Sequence, residues 1–430
     1  MENQETETKQ GFFQSTTAKM IMVGLLTLIL LIPLLFVQNL ITERSLRQKE
    51  VIAETTQKWG ESVYFYGPIL KIPYKDPITL QIENGYFFPE QLSNVSNTEI
   101  KTPLQRSIYK SNVFTTKMEF SGNYSQPKFY KKNIPTENIY WDKVRIVIKT
   151  TNLKSVNNEV KIKFGNTNYT FEPNHNSQSN DSIESLETGY IDFNIIKNSN
   201  FNMDITYNGS KRISIVPIGK TTVAKMTSNW NSPSFNGNFI PNDKKITNTG
   251  FEATWKILHF NRSFAQENFE DLPQLNKYAF AVDFITPVDE YQQNERASKY
   301  GFLVIGLTFL IFFLIQSISK INIHIFQYSM IGIALIMFYT LLISITEHSS
   351  FSLAYAIAGS AVVALISFYS IAILKNKKFP LFIGISLSVL YTFIYVIIQL
   401  EDYALLVGSI GLFVILAAVM YFSRKIEWNK

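Results

Sequence analysis

Cysteine is absent from the 430 residues, which removes disulfide frameworks, thiol nucleophiles and zinc–thiolate sites from consideration. That absence fits an extracytoplasmic domain of a bacterium. Nor does the chain contain a Gly-x-Ser-x-Gly, a His-Glu-x-x-His or a phosphate-binding glycine loop. His175 and His259 stand far apart, in a stretch without metal-ligand spacing. The net charge of +6 is no argument for a nucleic-acid surface. Across the polar, Asn-rich stretch Thr42–Lys299, Lys and Arg only slightly outnumber Asp and Glu. Charge is also missing from six long segments, and these organise the chain.

From Tyr300 to Phe422 the sequence is built of apolar runs. Lys320, Glu347, Lys375, Lys377, Lys378, Glu401 and Asp402 fall only in the gaps between them. Each run has roughly the 20 residues a helix needs to cross a hydrocarbon core. The spans are expected near 300–318, 325–346, 351–374, 381–399 and 403–422. A sixth run, 20–41, follows a polar tail at 1–19 whose only basic groups are Lys9 and Lys19. It exceeds the roughly 7–15 residues of a signal-peptide core, and no small-x-small cleavage site follows. It reads as an uncleaved signal anchor, bent at Pro33.

Residues 42–59 are charged and helical in pattern, a juxtamembrane helix that Gly60 is placed to end in the left-handed conformation. Beyond Gly60 the period becomes two. Ile78–Ile82 and Tyr86–Phe88 around Asn84-Gly85 read as a hairpin. So do Val160–Phe164 with Tyr169–Phe171, and Met203–Tyr207 with Ile213–Ile218 around Asn208-Gly209. Val144–Lys149 alternates as well, and Asn174–Glu187 is expected to be a long polar loop. Strands at this density argue for antiparallel β-sandwich lobes over 60–299, long enough to bury a core of their own. The fold expected is a six-helix transmembrane bundle, one N-terminal and five C-terminal spans, carrying a large inserted antiparallel β-sandwich-like domain and ending in a short tail at 423–430.

Loop charge predicts the orientation. With residues 1–19 cytoplasmic, the inner connections carry Lys320, then Lys375, Lys377 and Lys378, then Arg424, Lys425 and Lys430. The outer short loops carry Glu347, Glu401 and Asp402 and no Lys or Arg. Every loop obeys the positive-inside rule, with both termini inside and the β domain periplasmic.

Several stretches have a familiar look: Gly67–Tyr74 (GPILKIPY), Ser228–Pro241 (SNWNSPSFNGNFIP), Gly250–Trp255 (GFEATW), Thr286–Tyr291 (TPVDEY) and Arg296–Tyr300 (RASKY). Ile323–Tyr328 (IHIFQY), Thr346–His348 (TEH) and Leu400–Ser409 (LEDYALLVGS) follow in order. Together the chain resembles the CreD family over nearly its whole length, with the fewest landmarks between Thr98 and Asn202. The resemblance implies a Gram-negative inner-membrane protein with a periplasmic β domain, associated with cell-envelope integrity, a two-component envelope-stress response and tolerance of bacteriocins and β-lactams. It implies no biochemical activity.

The residues themselves offer one polar constellation: Glu347 and His348 at the outer end of the third span, with Gln399, Glu401 and Asp402 at the outer end of the fifth. Packed together they would suit a divalent cation or a proton relay. Against this, short loops at an interface need polar residues. Neighbours on a helix also diverge by about 100°, so a hydrogen-bonded tie between helices is the plainer expectation, with no metal or cofactor and no catalytic residue assigned. His324 is expected to anchor the third span at the interface. No span carries a charge near its centre, which weighs against an ion-coupled transporter. Tyr339, Ser367, Tyr391 and Tyr395 remain as uncharged polar groups suited to helix packing. Ala356, Ser360 and Ala364, like Gly408 and Gly411, form small-residue faces expected to pack the bundle internally. Trp230, Phe235, Phe239, Trp255 and Phe260 are expected in the sandwich core rather than in a cleft. Asp283, Asp289, Glu290 and Arg296 are placed to brace the domain near the membrane. The function expected is non-enzymatic support of the envelope through contact with an envelope component. A small-solute transporter and a metal-dependent membrane hydrolase using Glu347, His348, Glu401 and Asp402 are the alternatives. The expected partners are the lipid bilayer and an envelope component, with no nucleic acid; the sequence fixes no oligomeric state.

Overall fold

The computed structural model describes residues 16–106, 108–174, 183–194, 199–269, 271–284, 290–319, 321–374, 378–400 and 403–424. It divides into two units, one of residues 1–49 and 288–430, the other of residues 50–287. Lys9, His175, Asp289, Lys320, Lys375, Lys377, Glu401, Asp402, Lys425 and Lys430 lie outside the described residues.

In the first unit the apolar run near the N-terminus forms α1 (Thr16–Trp59), which continues through Pro33 without a break. Its inward stripe is narrow: Leu26, Leu30 and Leu34, one turn apart, are buried, while Leu28, Ile29, Ile32, Leu35 and Phe36 face outward. That one-sided burial fits a helix whose other faces meet lipid. A ten-residue amphipathic helix, α2 (Glu290–Lys299), follows the β region and was not foreseen from sequence. Then come α3 (Gly301–Ser319), α4 (Ile325–Thr346), α5 (Phe351–Leu374), α6 (Lys378–Gln399) and α7 (Ala404–Ser423). Counting α1, six helices among the described residues are long and apolar enough to cross a membrane.

Helix α4 lies at the centre of this unit. Its Leu335, Phe338, Tyr339 and Leu342 are buried against neighbouring helices, and Gly332 leaves room for Leu30 of α1. His324 caps α4: its Nδ1 accepts the Phe326 N–H at 3.2 Å, and its own N–H donates to Gln327 Oε1 at 2.9 Å. This reciprocal box satisfies backbone donors that the first turn otherwise leaves orphaned, a more specific role than an interfacial anchor. The small-residue expectation divides. Gly411 of α7 lies under the Phe393 ring of α6, and Gly408 lies near Ile397. Ala356, Ser360 and Ala364 of α5 are exposed instead of packed. The packed stripe is Ala354, Ala358 and Val362, turned about 200° around the helix, because the bulky Phe351 and Tyr355 take the buried side with it.

Beyond the end of α1, the second unit is built mainly of strands, with short 3-10 turns between them. Its strands are β1 (Val63–Lys75), β2 (Ile82–Phe87), β3 (Gln91–Ile100), β4 (Leu104–Arg106), β5 (Tyr109–Ser111), β6 (Val113–Asn123), β7 (Arg145–Thr150), β8 (Lys161–Phe164) and β9 (Thr167–Pro173). They continue with β10 (Glu184–Thr188), β11 (Asn200–Ser210), β12 (Arg212–Ile215), β13 (Thr221–Ser228), β14 (Ser234–Gly237), β15 (Asp243–Thr247), β16 (Gly250–Leu258), β17 (Glu267–Phe269) and β18 (Phe280–Asp283). Apart from the β4–β5 hairpin they form one 16-stranded sheet. The path runs β14-β18-β12-β1-β7-β10-β9-β8-β11-β6-β3-β13-β16-β15, with β2 beside β1 and β17 beside β2. The sheet folds over near β9, and its two halves pack face to face. Phe65 of β1 stacks on Phe120 of β6 with ring centres 4.1 Å apart, and Trp255 of β16 stacks on Phe280 of β18 at 4.8 Å. The result is the expected sandwich with one continuous core. Most pairings are antiparallel, but β1–β12 and β13–β3 are parallel.

Four local expectations differ from what forms. Asn84-Gly85 is not a turn but part of β2, which pairs with β1 from Lys75↔Ile82 onward. The turn lies earlier, where Asp76 accepts the Ile78 and Thr79 N–H groups at 2.8 and 2.7 Å, an Asx turn that holds the carboxyl below its usual range. Gly85 is needed there for space, since a side chain would press on Phe87 and Phe129. Met203–Tyr207 and Ile213–Ile218 do not form a hairpin either. β11 pairs with β6 and β8, while β12 crosses to the other half and pairs with β1 and β18. Within Asn174–Glu187, residues from Glu184 onward are strand β10. Val160–Phe164 and Tyr169–Phe171 do pair, through β8 and β9. Gly60 follows α1 with φ 156° rather than a left-handed helical value, and any side chain there would collide with the Asn208 carbonyl.

Candidate functional site

The Glu347 end of the helical unit is held by polar ties from α1 and α2. Glu347 closes α4, and its Oε1 lies 3.7 Å from Arg44 Nε of α1. Gln38 of α1 donates to the Ser298 carbonyl of α2 at 3.0 Å. Asn294 of α2, fully buried, accepts from Thr346 Oγ1 of α4 at 3.5 Å, and Gln293 donates to Gln399 Oε1 of α6 at 3.5 Å. Helix α2 therefore binds the ends of both α4 and α6. Glu347 and Gln399 each bond to a different element, and His348, which like Glu347 lies beyond the last residue of α4, is exposed. Glu401 and Asp402, which completed the expected cluster, lie outside the described residues. Among the described residues no group of three His, Asp or Glu could hold a metal ion.

The uncharged polar groups face neighbouring helices. Tyr355 donates to the Tyr391 carbonyl at 2.9 Å, Tyr395 donates to Ser352 Oγ at 2.9 Å, and Phe338 packs edge-on to Tyr339, Tyr355 and Tyr391. A groove of about 850 Å³ between α3, α6 and α7 is lined by aliphatic and aromatic side chains, with Lys378 and Ser386 as its polar groups.

In the β unit the expected aromatics divide. Trp255 is core, with Phe235, Trp230 and Phe239 packed against it. Phe260 is 82% exposed, because it sits in a 3-10 turn (His259–Asn261) rather than on strand β16. Asp283 is engaged inside the sandwich. It is buried and takes a bidentate pair from Arg212, Nε–Oδ1 2.5 Å and Nη2–Oδ2 2.9 Å, plus Asn236 Nδ2 at 2.5 Å. The pairing holds the Arg212 guanidinium above its usual value. Arg262 is buried without a carboxylate partner among the described residues. Its Nη2 donates to the Ile218 and Gly219 carbonyls at 3.0 Å each, and its guanidinium stacks 3.9 Å from the Phe264 ring. Burial pushes it down to about 10, still charged at neutral pH.

The most site-like feature of the β unit was missed from sequence. A cleft of about 600 Å³ opens on the outer face of the half containing β1, β7, β10 and β9. Strand register builds it. Lys71 is opposite Arg145, Glu187 is opposite Val147 one step along the same face, and Glu172 is opposite Glu187. The side chains of a single sheet face thus line up across four strands. Glu187 has a side chain only 9% accessible, and it accepts from Lys71 Nζ at 3.0 Å and Arg145 Nη1 at 3.3 Å. The Arg145 guanidinium lies 4.4 Å from the Tyr190 ring, and Lys143 Nζ lies 5.2 Å from the Tyr140 ring. The available signal was a charge breaking each apolar strand: Lys71 within GPILKIPY and Arg145 within VRIVIK. Without knowing that β1, β7 and β10 are neighbours, those charges had no common address.

The sequence family described as Inner membrane protein CreD matches residues 15–429. The chain belongs to the CreD family. Inner membrane protein CreD of Escherichia coli (strain K12) is 28% identical over 413 residues, covering 93% of this chain and 91% of that protein. Membership with six candidate spans makes the chain a multi-pass protein of the inner membrane. Solved structures give only faint likenesses. A putative nutrient binding protein from Legionella pneumophila aligns at TM-score 0.25 and 8% identity, over 52% of this chain and 77% of its own. An M1 zinc metallopeptidase from Deinococcus radiodurans aligns at TM-score 0.21 and 8% identity, over 80% and 95%. Neither value supports an argument about this CreD-family fold.

Proposed function

We propose that this CreD-family chain is a non-enzymatic inner-membrane protein that supports envelope integrity or the envelope-stress response. Its β domain lies on the periplasmic side and contacts an envelope component. The observation that carries the reading is the β unit itself: a sandwich with its own continuous core and an open, charged cleft on its outer sheet face. A domain built only as a spacer needs no buried carboxylate held between two cations, since such pairs rarely add net stability. The sorting of loop charge supports the periplasmic placement.

The hydrolase alternative loses support at Glu347, which faces Arg44. The transporter alternative keeps one specific observation in its favour, the tyrosines gathered between α4, α5 and α6. Deleting residues 60–287, the β unit without helix α2, while preserving membrane insertion is expected to abolish tolerance of envelope stress. Unchanged tolerance in cells carrying the inserted deletion contradicts the proposal.

A further inference from the structure

The charge in the cleft is unequal. Lys71, Arg145 and Lys143 face Glu187 and Glu172, and Glu187 is already shared by Lys71 and Arg145. Lys143 is exposed at the rim, where its ammonium meets the Tyr140 ring and no carboxylate among the described residues. An anion entering the cleft gains charge-assisted bonds from Lys143 and from the donors of Arg145 that Glu187 leaves free. The central floor strands β7 and β10 each have a neighbour on both sides, which leaves a peptide only the short edges Ile82–Asn84 of β2 and Glu172–Pro173 of β9. Edges of two or three residues give little room for strand addition, one of the ways a peptide docks on a sheet. What the cleft does present is aromatic surface beside amides. Tyr190 is 59% exposed, and Asn84 and Asn174 line the same space. Ring faces suit the C–H faces of a sugar, and amides and carboxylates suit its hydroxyls.

We propose that this cleft binds an acidic sugar, a glycan unit carrying a carboxylate. Lys143 and Arg145 take the carboxylate, the tyrosine rings take the sugar face, and Glu187 holds Lys71 and Arg145 in place. The inference rests on the reading that the β domain contacts the envelope, and it names the chemistry of that contact.

The test is a calorimetric titration of the full chain in detergent with N-acetylmuramic acid and N-acetylglucosamine, which differ by the carboxylate-bearing ether, and with tri-glutamate. The acidic sugar is expected to bind at least about tenfold tighter than the neutral one, a difference of about 1.4 kcal/mol. Lys143→Ala, at an exposed position, is expected to weaken the acidic sugar by about fivefold or more with an unchanged melting temperature. Lys117→Ala, which removes a distant ion pair with Glu119 on β6, is expected to leave binding unchanged. Equal affinity for the two sugars, no binding up to about 10 mM, tighter binding of tri-glutamate, or indifference to Lys143→Ala overturns the inference. If any of these appears while deletion of residues 60–287 still abolishes stress tolerance, the acidic-sugar assignment fails and the broader function stands.

Discussion

Tyr391 is the residue on which the anchor and conduit readings diverge. Its hydroxyl is buried and has no hydrogen-bond partner among the described residues, while Tyr355, packed beside it, donates to the Tyr391 carbonyl. In a passive bundle an unsatisfied buried hydroxyl is a cost of about 1–3 kcal/mol, and a made bond between membrane helices contributes about 0.6 kcal/mol. Tyr391→Phe is therefore expected to leave thermal stability in detergent unchanged or raise it, and Tyr355→Phe to lower it slightly. A larger loss from Tyr391→Phe, or lost function with an intact fold, contradicts the passive reading and favours a polar route between α4, α5 and α6. At this scale much was legible in the sequence. The lack of charge at the centres of the candidate spans could be read from the sequence alone. The role of His324 as a cap and the exposure of Phe260 were not legible, since both depend on the turn each residue sits in.

Among the elements, the strands were easier to find than to pair. Alternation located β7, β8, β9, β11 and β12. It could not reveal that β12 leaves β11 and runs parallel to β1, because period two fixes faces and not neighbours. Asn84-Gly85 misled for a related reason: it has turn chemistry, but Asp76 makes the turn first and Gly85 is required by Phe129. The charged cleft vanished with the pairing. Buried tyrosines give the sandwich a defined response to base. Tyr64, Tyr66, Tyr124 and Tyr207 are pushed above the usual phenol value by burial. Tyr86 is pushed from 10.0 to about 12 by burial, with Glu187 and Asp271 adding to it. The folded state thus keeps protons that the unfolded chain releases near pH 10. Stability is full below that value and falls as the pH rises towards 12. Denaturant midpoints followed by tryptophan fluorescence are expected to drop steeply over this window. A flat profile, or complete tyrosinate absorbance from all 22 tyrosines near pH 10 in a fully folded chain, contradicts this burial.

At the scale of the whole molecule, the architecture of six candidate spans and an inserted β region was readable because hydrophobic length and strand alternation are long-range averages, insensitive to local packing. Helix α2 escaped notice because ten mostly polar residues carry little signal, although Glu295 and Lys299 form an i,i+4 pair. Only the loop charges speak to orientation, and the proposed envelope contact depends on it. The absence of cysteine makes the direct measurement simple, since each introduced thiol is the sole one in the chain. The full chain with Lys143→Cys, at the rim of the β cleft, or with Ser423→Cys, at the end of α7, is treated in intact spheroplasts with a membrane-impermeant maleimide. Labelling of Lys143→Cys from outside, with Ser423→Cys reacting only after the membrane is permeabilised, is the predicted result; the reverse pattern contradicts the account.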